Sequence, residues 1–365
     1  NGTNPLADDC DGDDDTDSDG DGLSNCEEFA AGTEANNDAD PPDIVFVRFS
    51  GSDESGDGTL SSPWRTISLA MTDVSRYSGL HPVTIDVGPG GYTEFVRFVP
   101  NVTLQGAGPQ MTAVSAFDPD DTGPSLVEAA ENTIMLDLTI ALPIGSSGAP
   151  ILVRIDNVDA TLDNVVLDGS ISISTATGVY ITGEGSSGSV ISNSKLLNLE
   201  RGIHSINSGV TVTRNEFNNI HRDAVFVGFT GAKGAQLTPL LGAEDDISNT
   251  GFNRFRDVDD NFIKYDNANP ATTSAQFNDW GVFTEAEIRA KLDVPSKAVD
   301  DQIQFDRFIG EKLTLPSVIA VELLDGNIGD LVPDCAFPVV EFGGVAKDRD
   351  QSGLWIFQTS SPGAY

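Results

Sequence analysis

Leu162-Asp163-Asn164-Val165, Ser192-Asn193-Ser194-Lys195-Leu196, Arg214-Asn215-Glu216-Phe217, Phe252-Asn253-Arg254-Phe255 and Phe277-Asn278-Asp279-Trp280 are versions of one phrase. Each joins a short β-forming run to a polar Asn or Asp, a spacer and, in most copies, a larger side chain. Leu136-Asp137-Leu138-Thr139 is a poorer copy. The Asn or Asp positions 137, 163, 193, 215, 253 and 278 are separated by 26, 30, 22, 38 and 25 residues. An increment in the twenties is one turn of a parallel β-solenoid, whose coils stack about 4.8 Å apart. Asparagines at one corner of successive coils can stack amide on amide and satisfy the turn. Val165, Leu196, Phe217, Phe255 and Trp280 are then expected to point inward as one stack. The 38-residue interval places an insertion of about a dozen residues at 229–247. An antiparallel β-sandwich shares the turn spacing, but it does not repeat a corner residue in this way.

The composition of the 365 residues agrees with a packed body. The chain is 39% apolar with 37 Gly, too apolar for disorder throughout. It holds 57 acidic and 20 basic residues, a net charge of −37. That balance argues against nucleic acid or an anionic membrane as partner, because phosphate binding needs a basic footprint. No transmembrane segment is expected, since no run of 18 apolar residues exists. The chain opens Asn-Gly-Thr-Asn-Pro without a signal peptide. With the acidity, that reads as a mature secreted protein, extracellular or on a cell surface.

Residues 1–43 hold 15 of the acids and no Lys or Arg. Packed carboxylates repel, so this head is not compact without counter-cations. Asp17, Asp19 and Asp21 fall at positions 1, 3 and 5 of a twelve-residue loop, with Gly22 at the sharp turn. Leu23 offers its carbonyl at position 7, Asn25 stands at 9, and Glu28 at 12 can bind through both oxygens. This spacing wraps hard oxygen ligands around calcium. Cys10 and Cys26 bracket the stretch. In an oxidising compartment they are expected to close a short loop, the alternative being two free thiols. Cys335 has no evident partner.

Two resemblances add to this reading. The head, Asp15-Thr16-Asp17-Ser18-Asp19-Gly20-Asp21-Gly22-Leu23-Ser24-Asn25-Cys26-Glu27-Glu28, is similar to a thrombospondin type-3 or related bacterial calcium repeat. That implies a second ion shared by Asp11, Asp13 and Asp15, and closure of the tail between Glu34 and Asp40. It departs from an EF-hand at Ser24 and in lacking a preceding helix. The body resembles secreted right-handed parallel β-helix proteins of the pectate-lyase-like superfamily. Gly51-Ser52-Asp53 through Trp64-Arg65-Thr66-Ile67 looks like that group's lead-in motif. Val83-Thr84-Ile85-Asp86-Val87-Gly88-Pro89-Gly90-Gly91-Tyr92 and Val102-Thr103-Leu104-Gln105-Gly106 look like its first coils, and Asn278-Asp279-Trp280-Gly281 like its last. The resemblance implies an all-β, right-handed parallel β-helix over 44–310. Short helices near 65–75 and 284–292 are expected to cap it; Thr284 and Glu287 have capping-box spacing. The calcium-binding head is 1–43, and 311–365 is a strand-rich C-terminal appendage.

The combined signature of paired Asp followed by Gly-His-Gly and Arg-x-Lys is absent, and no catalytic residue is assigned. The densest polar set is Glu200, Arg201, His204, Arg214, Glu216, His221, Arg222 and Asp223. Coils of about 22 residues put Arg201 beside Asp223 and Glu200 beside Arg222, a pattern that reads as a cross-coil ion-pair ladder. The expected function is therefore a non-catalytic, calcium-stabilised β-helix: structural, adhesive, or self-assembling as a filament or surface layer. Copies would meet through the solenoid ends or the C-terminal strands. The alternative is a polysaccharide lyase or glycosidase of that superfamily, or a carbohydrate-binding module, with an extracellular polysaccharide as partner.

Overall fold

The computed structural model describes residues 16–20, 23–38, 40–116, 125–143, 149–169, 175–229, 237–243, 251–266, 272–282, 284–294, 299, 303–305, 308, 346–349 and 355–357. Asp11, Asp13, Asp15, Asp21, Cys10, Cys335 and most of 311–365 lie outside these residues. Val and Ile alternate with polar residues in short runs, and these runs become strands that pair in parallel with the next coil. The first sheet contains seven: Ile44–Val47, Val83–Val87, Val102–Gly106, Thr133–Leu136, Ala160–Asp163, Val190–Ser192 and Thr211–Thr213. Its register is regular: Leu162 lies between Met135 and Ile191.

The other two faces share one network. The second sheet runs Gly90–Thr93, Thr112–Ser115, Thr139–Ala141, Val166–Asp168, the first part of Lys195–Ile206, the first part of Glu216–Gly228, then Arg254–Val258. The third runs Val96–Arg97, Val127–Glu128, Ile151–Asp156, Thr177–Thr182, the second parts of the two long strands, Asn261–Tyr265 and Leu292–Asp293. A register shift between Leu199 and Arg201 lets one long strand turn from the second face to the third. The chain is a three-sided parallel β-helix.

The repeated phrase resolves into two columns, one residue apart. The left-handed corner is Asp137, Asn164, Asn193, Arg214, Phe252 and Phe277, with φ between 49° and 59°. The next residue in each coil points inward: Leu138, Val165, Ser194, Asn215, Asn253 and Asn278, all buried. Asp163 therefore precedes the corner, whereas Asn215, Asn253 and Asn278 follow it. The reason is backbone geometry. Asp and Asn tolerate the left-handed turn, but a buried amide column must form where side chains face one another across rungs. Asn215 N–H donates to Asn253 Oδ1 at 3.0 Å, and Asn253 N–H to Asn278 Oδ1 at 2.9 Å. Val165 belongs to this column, its N–H donating to Ser194 Oγ at 3.0 Å. Leu167 takes its place in the large-residue stack, opposite Ile140 and Leu196. The stack continues through Phe217, Phe255 and Trp280, whose rings lie parallel with centroids 5.0 and 4.6 Å apart. Each fully buried side chain of this kind contributes about 1.5–3 kcal/mol.

The long coil also differs from expectation. Leu240 bridges Thr211, so the chain returns to the first sheet inside the stretch expected to be one insertion at 229–247. Gly242 and Gly251 approach closely: a Cβ on Gly242 would lie 2.9 Å from Gly251 Cα and 2.2 Å from Gln276 O.

Helix α1, Asn25–Ala31, follows the acidic loop; Ser24 and Glu27 form its capping box. Helix α2, Ile67–Val74, buries Ile67, Ala70, Met71 and Val74 over the first coil. Its first amides, on Ile67 and Ser68, donate to the Glu94 carboxylate at 2.9 and 2.8 Å. Helix α3, Glu285–Arg289, has the Thr284–Glu287 capping box and buries Ile288. Ala31 joins the hydrophobic core, so the head is packed on the solenoid. Ala346–Arg349 and Trp355–Phe357 form an antiparallel pair. No helix among the described residues is long and apolar enough to cross a membrane.

Candidate functional site

On the third sheet, Ile155, Ile181, Ser205 and Val227 are buried, and their neighbours in sequence point out. Strand register then sets one outward residue above the next: Arg97, Glu128, Arg154, Tyr180, His204, Phe226, Lys264 and Asp293. The centre of this column is aromatic. The Tyr180 and His204 rings meet edge to face at 5.0 Å, and His204 and Phe226 at 4.7 Å. Arginines lie over two of these rings, Arg154 over Tyr180 at 4.7 Å and Arg201 over Phe226 at 4.5 Å, and Arg97 lies over Phe95, just before its own strand, at 5.8 Å.

A second network braces this column. Asp223 is fully buried and is held by Arg201 Nε at 3.2 Å and by Asn261 Nδ2 at 2.8 Å. Arg222 Nη1 donates to Glu200 at 2.7 Å. Both cross-coil pairs expected from the spacing are present. Burial pushes His204 down to about 4; Arg201 adds to the shift and Asp223 opposes it. His204 is therefore a neutral imidazole at ordinary pH.

The face differs in charge from the rest of the molecule. Glu128 pairs with Arg97 at 3.0 Å, Asp223 with Arg201, Glu200 with Arg222, and Asp293 with Lys264 at 2.7 Å. Arg154 has no ion pair among the described residues and lies against Tyr180. On a chain of net charge −37, this face is balanced: with exposed Asp156 beside Ile155, five acids stand against five bases.

The remaining members of the polar set lie elsewhere. Arg214 is on the left-handed corner, Glu216 is on the second sheet opposite Lys195, and His221 pairs with Asp259 at 3.3 Å. The sequence reading missed Arg154, Tyr180, Phe226 and Lys264. Their signal was positional: they recur at coil-length intervals, as the corner residues do.

Of the calcium ligands expected in the head, Asp17, Asp19, Leu23, Asn25 and Glu28 are described. Asp17 Oδ1 accepts from Gly20 N–H at 2.6 Å, with Gly20 at φ 84°. Asn25 Oδ1 accepts from Ser18 N–H at 3.2 Å. Asn25, Leu23 and Glu28 are buried, Glu28 completely. Among the described residues no three acidic, His or Cys side chains converge as a metal set; Asp21 lies outside them. An acid buried within a segment that lacks Lys and Arg fits a hard cation. Further along, Asp40 Oδ2 accepts from Glu34 N–H at 3.0 Å. Cys26 is disulfide-bonded; Cys10, its expected partner, is outside the described residues.

No family model matches the chain, and no curated protein matches it. Several solved structures are similar to it at low identity. Pectin methylesterase PemA from Erwinia chrysanthemi is 16% identical, with 79% of this chain and 98% of that one covered and a TM-score of 0.37. Escherichia coli YbhC is 15% identical, with 75% and 86% covered and a TM-score of 0.42. The tailspike gp49 of Acinetobacter baumannii bacteriophage Fri1, a capsular polysaccharide depolymerase, is 14% identical, with 65% and 51% covered and a TM-score of 0.41. The fold assignment rests on the parallel register of the three sheets.

Proposed function

We propose that this chain is a carbohydrate-acting β-helix protein that lays an extended polysaccharide along its third sheet. The observation that carries the reading is the outward run Arg154, Tyr180, His204 and Phe226, in which Arg154 lies over the Tyr180 ring and Arg201 over the Phe226 ring. Aromatic rings offer flat apolar surface to the C–H faces of sugars, and guanidinium groups bind carboxylates or hydroxyls in fixed geometry. Rungs about 4.8 Å apart repeat these contacts along a line, which suits a polymer better than a small molecule.

Binding to a glycan panel, measured by affinity electrophoresis, tests this. Tyr180→Ala and Arg154→Ala are each expected to weaken retention at least tenfold. Equal retention of both variants on every glycan would remove the reading. Turnover is a second reading, favoured by the neutral His204 between two rings and beside Arg201. Unsaturated uronates or new reducing ends from the same panel, lost in His204→Gln while retention persists, would support it.

The head is proposed to hold calcium through Asp17, Asp19, Asp21, Leu23, Asn25 and Glu28, with a second ion at Asp11, Asp13 and Asp15. A Cys10–Cys26 bridge and an extracellular location go with that proposal. The role of the ion there is to neutralise carboxylates and hold the loop on the first coil.

A further inference from the structure

We infer that the corner between the first and second sheets is a two-fold interface, through which two copies of this chain pair side by side and antiparallel. The corner forms one continuous edge of the solenoid. At its N-terminal end stand two exposed large apolar residues, Phe49 at 58% and Met111 at 54% exposure. They flank Gly90: its N–H donates to Met111 O at 2.8 Å, and a Cβ there would lie 3.3 Å from Phe49 Cβ. The edge continues through Asp137, Asn164, Asn193, Arg214, Phe252 and Phe277, one rung each.

The order of these residues is self-complementary. A two-fold axis between Asn164 and Asn193 sets Asp137 opposite the partner copy's arginine at the Arg214 position. It sets Met111 opposite Phe252, and the Phe49–Gly90 surface opposite Phe277. Every contact occurs twice, as closed two-fold symmetry requires. The charges are available. Arg214 is exposed with no ion pair among the described residues. Asp137 Oδ1 accepts from Asn164 Nδ2 at 2.6 Å, and a carboxylate has further acceptor capacity.

Backbone conformation gives an independent pointer. Asp and Asn are suited to the left-handed corner and fill it at 137, 164 and 193. Arg214, Phe252 and Phe277 hold the same conformation at φ 58°, 55° and 59°, which is unfavourable for bulky side chains. The buried amide column fixes only the following residue, so it does not explain an arginine and two phenylalanines at the corner itself. Pairing with a second copy does.

Nine rungs span roughly 40 Å, and a ridge of this width covers less than the about 1,600 Å² of a standard interface. The dimer is therefore a weak, concentration-dependent one. In a three-sided helix this edge is opposite the third sheet, so both glycan faces stay open.

Sedimentation equilibrium of the full chain at about 0.15 M salt, enough to screen its net charge, tests the interface. The wild type is expected to shift from monomer to dimer mass as concentration rises. Asp137→Lys and Arg214→Glu should each weaken the dimer tenfold or more, and the double exchange should restore it. Phe252→Asn suits the left-handed corner and keeps the fold, so it should give a monomer with an unchanged or higher urea midpoint. Monomer mass at every concentration, or a dimer indifferent to these substitutions, would falsify the proposal.

Discussion

Asn253 carries much of the fold on one side chain. It is fully buried, and its Oδ1 accepts from Asn215 N–H and Nδ2 at 3.0 and 3.2 Å. Its Nδ2 donates to Val212 O at 2.8 Å and to Asn278 Oδ1 at 3.0 Å. Replacing it by Leu keeps the volume and strands the Asn215 donors and the Val212 carbonyl away from water. Buried groups left unsatisfied cost about 1–3 kcal/mol each, so Asn253→Leu should lose about 3 kcal/mol or more in urea denaturation. Leu138 and Val165 show that an aliphatic side chain is tolerated elsewhere in this column, the Val165 N–H donating to Ser194 Oγ. An Asn253→Leu variant as stable as the wild type would mean that water takes over these bonds. The same residue shows what could be read in advance. The Asn-containing phrase and its spacing are visible in the sequence. Whether the Asn stands on the corner or just inside it is not, because that depends on which residue adopts positive φ, and Asp, Asn, Arg and Phe all do so here.

At the scale of the sheet, register rather than local sequence creates the candidate site. Tyr180, His204 and Phe226 have no common motif around them; they meet because their strands pair rung by rung. Ion pairs such as Arg201–Asp223 were legible, since a coil length links opposite charges. The aromatic column was not, since rings in a β-rich sequence are expected inside. One consequence concerns pH. His204 is held near 4 in the folded sheet, against 6.5 as its ordinary value. Between those values the unfolded chain binds a proton that the folded chain does not, so stability is full above 6.5 and falls as pH drops through the window. His204→Phe removes that proton and extends the ring column. Its urea midpoint should exceed the wild type's by a margin that grows between about pH 7.5 and about pH 4.5, by roughly 2 kcal/mol, reduced from the full linkage because the ring keeps some solvent. Other carboxylates titrate in both proteins, so the difference between the two isolates His204. A margin independent of pH would mean that the ring is protonated at no extra cost.

Across the whole molecule, charge and architecture are separated. The head has 15 acids and no base, while the solenoid's cohesion comes from stacked apolar side chains and backbone ladders. These two parts should respond to calcium differently. Helix α1 touches the core through Ala31, and Gly32 at its C-cap faces Arg76 beyond α2. Binding stabilises the folded head by about 2.7 kcal/mol at a hundredfold excess over the dissociation constant, yet among the described residues 16–38 Ala31 is the one that joins the core of the coils. Chelation should therefore open 16–38 to protease while the melting temperature of the solenoid moves by only a few degrees. Glu28→Gln, which removes one charge and the two-oxygen ligand at position 12, should produce the same cleavage at calcium levels that protect the wild type. The two readouts separate the possible failures. Equal cleavage with and without calcium would show that the head holds no ion of consequence. Loss of the solenoid's own melting transition on chelation would show instead that the first coil depends on the loaded head, and that the cap formed by α2 is insufficient to close the open end of the helix.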